Sequence, residues 1–285
     1  MLIPFHFVEN PGFHSWQFEP TVLVGIAVAG FLYFRWIKLY AERHPDEEFV
    51  STKQQVMFVL GLASFFIALI SPIDAWASYL LSMHMTQHIL VTIVGPPLLL
   101  LGLPRAAVQS LSNLGKPWEV WRFVSRPLFA FFLFNAVFSF IHLPVLYNLI
   151  LRSQAVHIAM HLALIGTALV LWWPVLAPGR EYGEISPAMK ILYLVANTVP
   201  GQVVGAIITL TDAPIYSEYA LAPQRLWGLS LQTDQEIGGL LMWVGVGSFF
   251  LGVAGMAFFK WAADADDAER RKITGPGAAS QRPRW

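Results

Sequence analysis

Seven runs of mostly apolar residues, at roughly 20–39, 53–71, 76–103, 127–150, 154–176, 188–212 and 233–260, constrain this 285-residue chain more than any other feature. About 20 consecutive apolar residues cross the hydrocarbon core of a bilayer as a helix. In lipid every backbone N–H and C=O must be satisfied within the protein, so such runs become helices or closed barrels. Charged residues make up only 13% of the chain, about half of the ~25% usual in a soluble domain. The expected fold is therefore all-α, an integral membrane bundle of seven transmembrane helices filling residues 20–260. Residues 1–19 are expected to form an extracytoplasmic N-terminal segment. Residues 261–285, rich in Asp, Arg, Gly and Pro, read as a cytoplasmic, disordered tail. Gly95-Pro96-Pro97 should kink the third span or break it in two, Pro144 follows His142 in the fourth, and Pro200-Gly201 should kink the sixth. No Lys or Arg lies between Met1 and Pro20, so the first span is expected to serve as the insertion signal.

Seven spans make the connecting segments alternate between the two sides, and the basic residues sort accordingly. Arg35, Lys38, Arg43 and Lys53, then Arg105, Lys116, Arg122 and Arg126, then Arg180 and Lys190, and finally Lys260 and the five of the tail share one side. Only Arg152 and Arg225 of the eighteen fall on the other. Retention of positive charge in the cytoplasm places the N-terminus outside and the C-terminus inside. The outer side also collects Glu9, Glu19, Asp74, Asp212, Glu218, Asp234 and Glu236. An acidic rim of this kind would concentrate cations at that mouth. The formal net charge is zero, which argues against a nucleic-acid partner.

Five of the eight histidines fall inside spans: His84, His88, His142, His157 and His161. His84 and His88 occur as H-M-T-Q-H, and His157 and His161 as H-I-A-M-H. Four residues advance about 400° around a helix, so each pair shows two imidazoles on one face, a turn apart. At about 1.5 Å per residue all five lie in the outer half of the membrane. Ionisable side chains are costly in hydrocarbon and tend to mark sites. A single membrane histidine, such as His142 taken alone, is more often a hydrogen-bonding link between helices. Two paired sets with a third histidine at matched depth point instead to a metal or a haem. The chain has no cysteine, which removes disulfides, thiolate metal sites and CxxCH haem attachment. Soft-metal chemistry is left to His and Met. Met160, beside His161, offers a thioether suited to Cu(I). Met83 and Met85 point about 100° to either side of His84 and read as packing residues.

No acid or base supports catalysis. Met85 follows His84 where a zinc protease would carry Glu, and no nucleophile elbow, P-loop or dinucleotide fingerprint is present. The chain does not read as an enzyme. Asp74, Asp234 and Glu236 are candidates for guiding a cation or for hydrogen bonding an imidazole. Acids in a first helical turn also answer the helix dipole, which is the plainer reading of Asp234 and Glu236.

In order along residues 20–260, the landmarks are Pro72 and Asp74, His84-Met85-Thr86-Gln87-His88, Pro96-Pro97 and Gly102-Leu103-Pro104. His142-Leu143-Pro144 and Tyr147 follow, then His157 and His161, Trp172-Trp173-Pro174, and Asp234-Gln235 with Gly238-Gly239 and Met242-Trp243. This pattern resembles the CtaG-type cytochrome c oxidase assembly proteins, the multispanning kind found in bacterial membranes. The resemblance implies a non-enzymatic assembly role in the bacterial plasma (inner) membrane, with copper delivered to the copper-B centre of a haem-copper oxidase. It implies a membrane-embedded oxidase subunit as partner, and leaves the upstream copper donor unspecified. A haem-binding membrane protein and a copper permease are the competing readings.

Overall fold

The computed structural model describes residues 9–45 and 50–274. Every regular element among them is helical. The expected segment 1–19 is described only from residue 9, and residues 275–285 of the expected tail lie outside the described residues.

The chain opens with α1 (Pro20–Arg43), whose first position is a proline with no N–H to waste. Then α2 (Thr52–Ile70) starts from a capping box between Ser51 and Gln54. A short α3 (Pro72–Ala77) leads into α4 (Leu81–Ile89), a wide π-turn over Leu90–Val94, and α5 (Gly95–Gly102). Within the expected span at 76–103, Leu81–Gly102 stays one helical run that widens into the π-turn, for a local reason. Pro96 has no N–H to offer the Thr92 carbonyl four residues back. The Trp172 indole N–H donates to that carbonyl instead, at 3.0 Å.

Two short helices, α6 (Arg105–Ser112) and α7 (Lys116–Val124), precede α8 (Pro127–Ile141) and α9 (Pro144–Arg152). The fourth expected span, 127–150, is not one helix. It stops at His142-Leu143, because Pro144 cannot follow a residue in helical conformation easily and restarts the helix as its own first position. Next come α10 (Gln154–Leu176), α11 (Pro187–Leu210) and α12 (Leu231–Leu240), which passes through a second π-turn, Leu241–Gly245, into α13 (Val246–Thr274).

Six helical runs are long and apolar enough to cross a membrane. A seventh appears when α7 and α8, bent 75° apart, are taken as one span. Large apolar side chains such as Val24, Phe31, Leu162, Leu192 and Phe259 point away from the protein, as a lipid-facing surface requires. The tail departs from expectation: α13 stays helical as far as Thr274, so 264–274 are ordered rather than irregular. The apolar part of α13 supplies a ready helical nucleus, and extension costs no new nucleation. Lys260 and Asp264 pair one turn apart to support it.

Candidate metal centre

The α4 helix has no cap of its own, since Leu80 at its N-cap makes no side-chain bond. The cap comes from α12. Asp234, 1% exposed, accepts hydrogen bonds from the Leu81 N–H at 2.7 Å, the Ser82 N–H at 3.1 Å and the Ser82 hydroxyl at 2.6 Å. A carboxylate there satisfies free amides and meets the positive end of the helix dipole. Gly238 brings α12 this close, for a Cβ on it would stand 3.0 Å from Leu81 Cγ. Asp234 therefore fixes the helix that carries His84 and His88. It does not bond an imidazole.

The two i,i+4 pairs meet as the spacing predicts. Ring centroids lie 4.5 Å apart for His84 and His88, and 4.4 Å apart for His157 and His161. Between the helices, His84 stands 5.5 Å from His157 and 6.4 Å from His161, while His88 stands 5.9 Å from His161. His142, at the end of α8 where the fourth span breaks, is 5.9 Å from His88. All five are buried. The nitrogens of His84, His88 and His161 come within 4.8 Å of one another. Two bonds of about 2 Å to one ion span at most about 4 Å, so slight side-chain rotation would close the three on it.

Hydrogen bonds orient these rings. His142 donates from Nδ1 to the Phe138 carbonyl at 2.6 Å, which leaves Nε2 as the bare nitrogen. His84 Nδ1 lies 3.0 Å from the Tyr219 hydroxyl, which lies 3.0 Å from that of Tyr147. With the proton on Nδ1 donated to Tyr219, and Tyr219 donating to Tyr147, His84 Nε2 is likewise bare. Among the described residues His84 Nε2, both nitrogens of His88, His142 Nε2 and His161 Nε2 find no hydrogen-bond partner. A buried polar atom left unpaired costs about 1–3 kcal/mol, so this many in one place fit a site built for a cation.

One cavity reaches the cluster from the end of the bundle. It holds about 150 Å³ and is lined by Gln17, Glu19, Asp74, Gln154, His157 and His161, among others. Asp74 accepts from Gln87 Nε2 at 2.6 Å, so it bonds the residue beside His88 and not an imidazole. Burial pushes its carboxyl up to about 6; the hydrogen bond from Gln87 opposes this and the charge of Glu19 adds to it. Glu236 is held by Gln232, one turn back, at 3.0 Å, away from the histidines. Met160 packs in an apolar cluster with Ile141, Ile150 and Leu164. Met85 is a packing residue, as its angle on the helix suggested.

Tyr219, Gln17 and Gln154 were not legible as site residues, and Glu19 was legible only as one acid of the outer rim. Tyr219 sits in a short irregular helical turn, Ser217–Leu221, where no periodicity assigns a face. The signal for Gln87 was present, as a buried amide inside an apolar run.

A profile of the family described as "Cytochrome c oxidase caa3 assembly factor" matches residues 31–264. An uncharacterized protein of Mycobacterium leprae is 25% identical over 207 residues. Uncharacterized proteins of Mycobacterium bovis and Mycobacterium tuberculosis are each 24% identical over 208 residues. These matches cover 66% of the chain but 31% of each relative, so the chain spans about a third of their length. No solved structure matches it.

Proposed function

The chain belongs to the cytochrome c oxidase caa3 assembly factor family, and from that premise we propose that it holds one Cu(I) ion on His84, His88 and His161 and delivers it to the copper-B centre of a haem-copper oxidase. The observation that carries this reading is the convergence of those three imidazoles, with ligand atoms within 4.8 Å of one another in a buried setting. Imidazole suits copper, and a three-nitrogen site held open by about an ångström favours an ion that must leave again. His142 and His157 flank the three, with His157 on the side of the polar cavity. Met160 has no part in the site in this reading. No step requires an acid or a base, so the role is that of a carrier rather than an enzyme.

Copper enters through the cavity bearing Glu19 and Asp74, meets His157 first and then moves inward to His84 and His88. The basic-residue split orients that cavity to the outer face of a bacterial inner membrane, with the N-terminus outside. The donor on that side is unassigned. Haem is disfavoured because the five rings pack on one another, with no slot for a macrocycle between them. A permease is disfavoured because the cluster rests on an apolar floor that includes Ile93, Leu171, Trp172 and Phe250.

Metal analysis of the purified protein under reducing conditions tests the reading. About one copper per chain, lost in a His84→Ala/His88→Ala double variant, is the expected result. A Soret band with stoichiometric haem would overturn it.

A further inference from the structure

The histidine cluster has a second opening, and it faces lipid. Beside α1 lies a crevice of about 420 Å³, walled by α1, α2, α5 and α10. Its lining is nearly all aliphatic or aromatic, except for Thr21 at the rim and His161. This imidazole thus borders both the polar cavity and the apolar crevice. It is 9% exposed and its Nε2 has no hydrogen-bond partner among the described residues.

The wall made by α1 is unusual for a membrane span. Only Tyr33 of its 24 residues is buried, stacked on Phe58 with centroids 3.7 Å apart and donating to the Gly102 carbonyl. Facing the crevice, α1 presents Thr21, Gly25 and Ala29, small residues one turn apart. Small residues at this spacing let two membrane helices approach closely. Yet a Cβ added to Gly25 would meet nothing within 4 Å, so among the described residues no element uses the close approach.

We propose that this crevice is the docking surface for a transmembrane helix of the client oxidase subunit, and that His161 is the last ligand to hold the ion as it passes across. The proposal rests on the copper reading above. A lipid tail would fill the space but could offer nothing to the imidazole at its base. A helix lying along α1 with a His or Met directed inward fills the crevice and supplies a donor at the depth of His161. The crevice admits the side chains of one helix face and not a whole helix, so the client lies against the seam. Transfer is ligand exchange without electron transfer: copper leaves as Cu(I). Bonds to His84 and His88 break as bonds to client donors form, and the bond to His161 breaks last. Neutral donors replace neutral donors, so no proton moves.

The chain has no cysteine, so Gly25→Cys gives one labelling point for a maleimide-linked photocrosslinker in membranes. The expected product is a one-to-one adduct with an oxidase subunit; adducts with lipid alone or with a second copy of this chain would overturn the proposal. Gly25→Trp, which plugs the crevice, is expected to leave the copper content of the purified protein at the wild-type level and to lower copper in the host oxidase at least about tenfold. Ala27→Trp, two residues and about 200° round the same helix, should change neither. Oxidase maturing normally with Gly25→Trp would sink the docking surface. The copper reading fails separately: a wild-type protein without copper, whose Gly25→Cys adduct with the oxidase still forms, keeps the interface and loses the cargo. Should Gly25→Trp not accumulate, the adduct decides.

Discussion

Tyr219 is the residue on which the direction of His84 turns. Its hydroxyl lies 3.0 Å from Nδ1, and a hydrogen bond there turns Nε2 to the cluster. Groups that orient a metal-bound histidine are typically worth about 10–100-fold in metal affinity. Tyr219→Phe should weaken copper binding by a factor in that range, measured by competition with a Cu(I) chelator, and lower the unfolding midpoint in detergent as well, because it unpairs His84 Nδ1 and the Tyr147 hydroxyl. Asp74 gives a pH signature. Its carboxyl ionises at about 6 in the folded protein, against 3.8 for the free group. Between those values the folded state holds a proton that the unfolded chain has released, so acid favours the fold and the benefit fades as pH rises through 6. For copper admission the sign is opposite, because only the carboxylate attracts a cation. The rate at which the protein reconstituted in vesicles loads with Cu(I), read as protein-bound copper, should therefore fall as pH drops from 7 to 5, and Asp74→Asn should flatten that dependence. The pairing of the imidazoles was legible from the i,i+4 spacing of His84 with His88 and of His157 with His161. Tyr219 was not, since nothing in the sequence says which loop folds back over a helix 135 residues away.

Among elements, the α11–α12 seam and the two π-turns decide how closely the bundle closes. A Cβ on Gly239 would stand 2.8 Å from the Gly205 carbonyl, and one on Gly205 would stand 2.8 Å from the Trp243 amide. Neither backbone can yield cheaply. Gly205→Ala should destabilise the protein by about 1–3 kcal/mol, as overpacking does, and be seen as a lowered unfolding midpoint in detergent. It should loosen α12 and with it the Asp234 cap. Trp172→Phe should cost about 1–3 kcal/mol by leaving the Thr92 carbonyl buried and unpaired, with little loss of aromatic packing on Phe250, its stacking partner at 5.2 Å. Helix positions were readable from the apolar runs, and Pro96-Pro97 announced an irregularity in the third span, which takes the form of a π-turn. The sequence did not show that the fourth would end at His142. Proline permits a kink or a stop alike, and packing chooses between them.

At the scale of the molecule, the asymmetry of basic residues predicts which end faces outward. A reporter active only outside the cytoplasm should work when fused before α1 and fail when fused after α13; the reverse pattern would turn the copper inlet inward and refute the proposed route. The cap on α4 has a bearing on biosynthesis as well. Asp234 lies 153 residues after Leu81, whose amide it satisfies. A ribosome releases the histidine-bearing helices long before it makes the span that holds them in place. Until that span is in place the amides of Leu81 and Ser82 lack the Asp234 carboxylate, so the order in which the spans are made sets the order in which the contact can form.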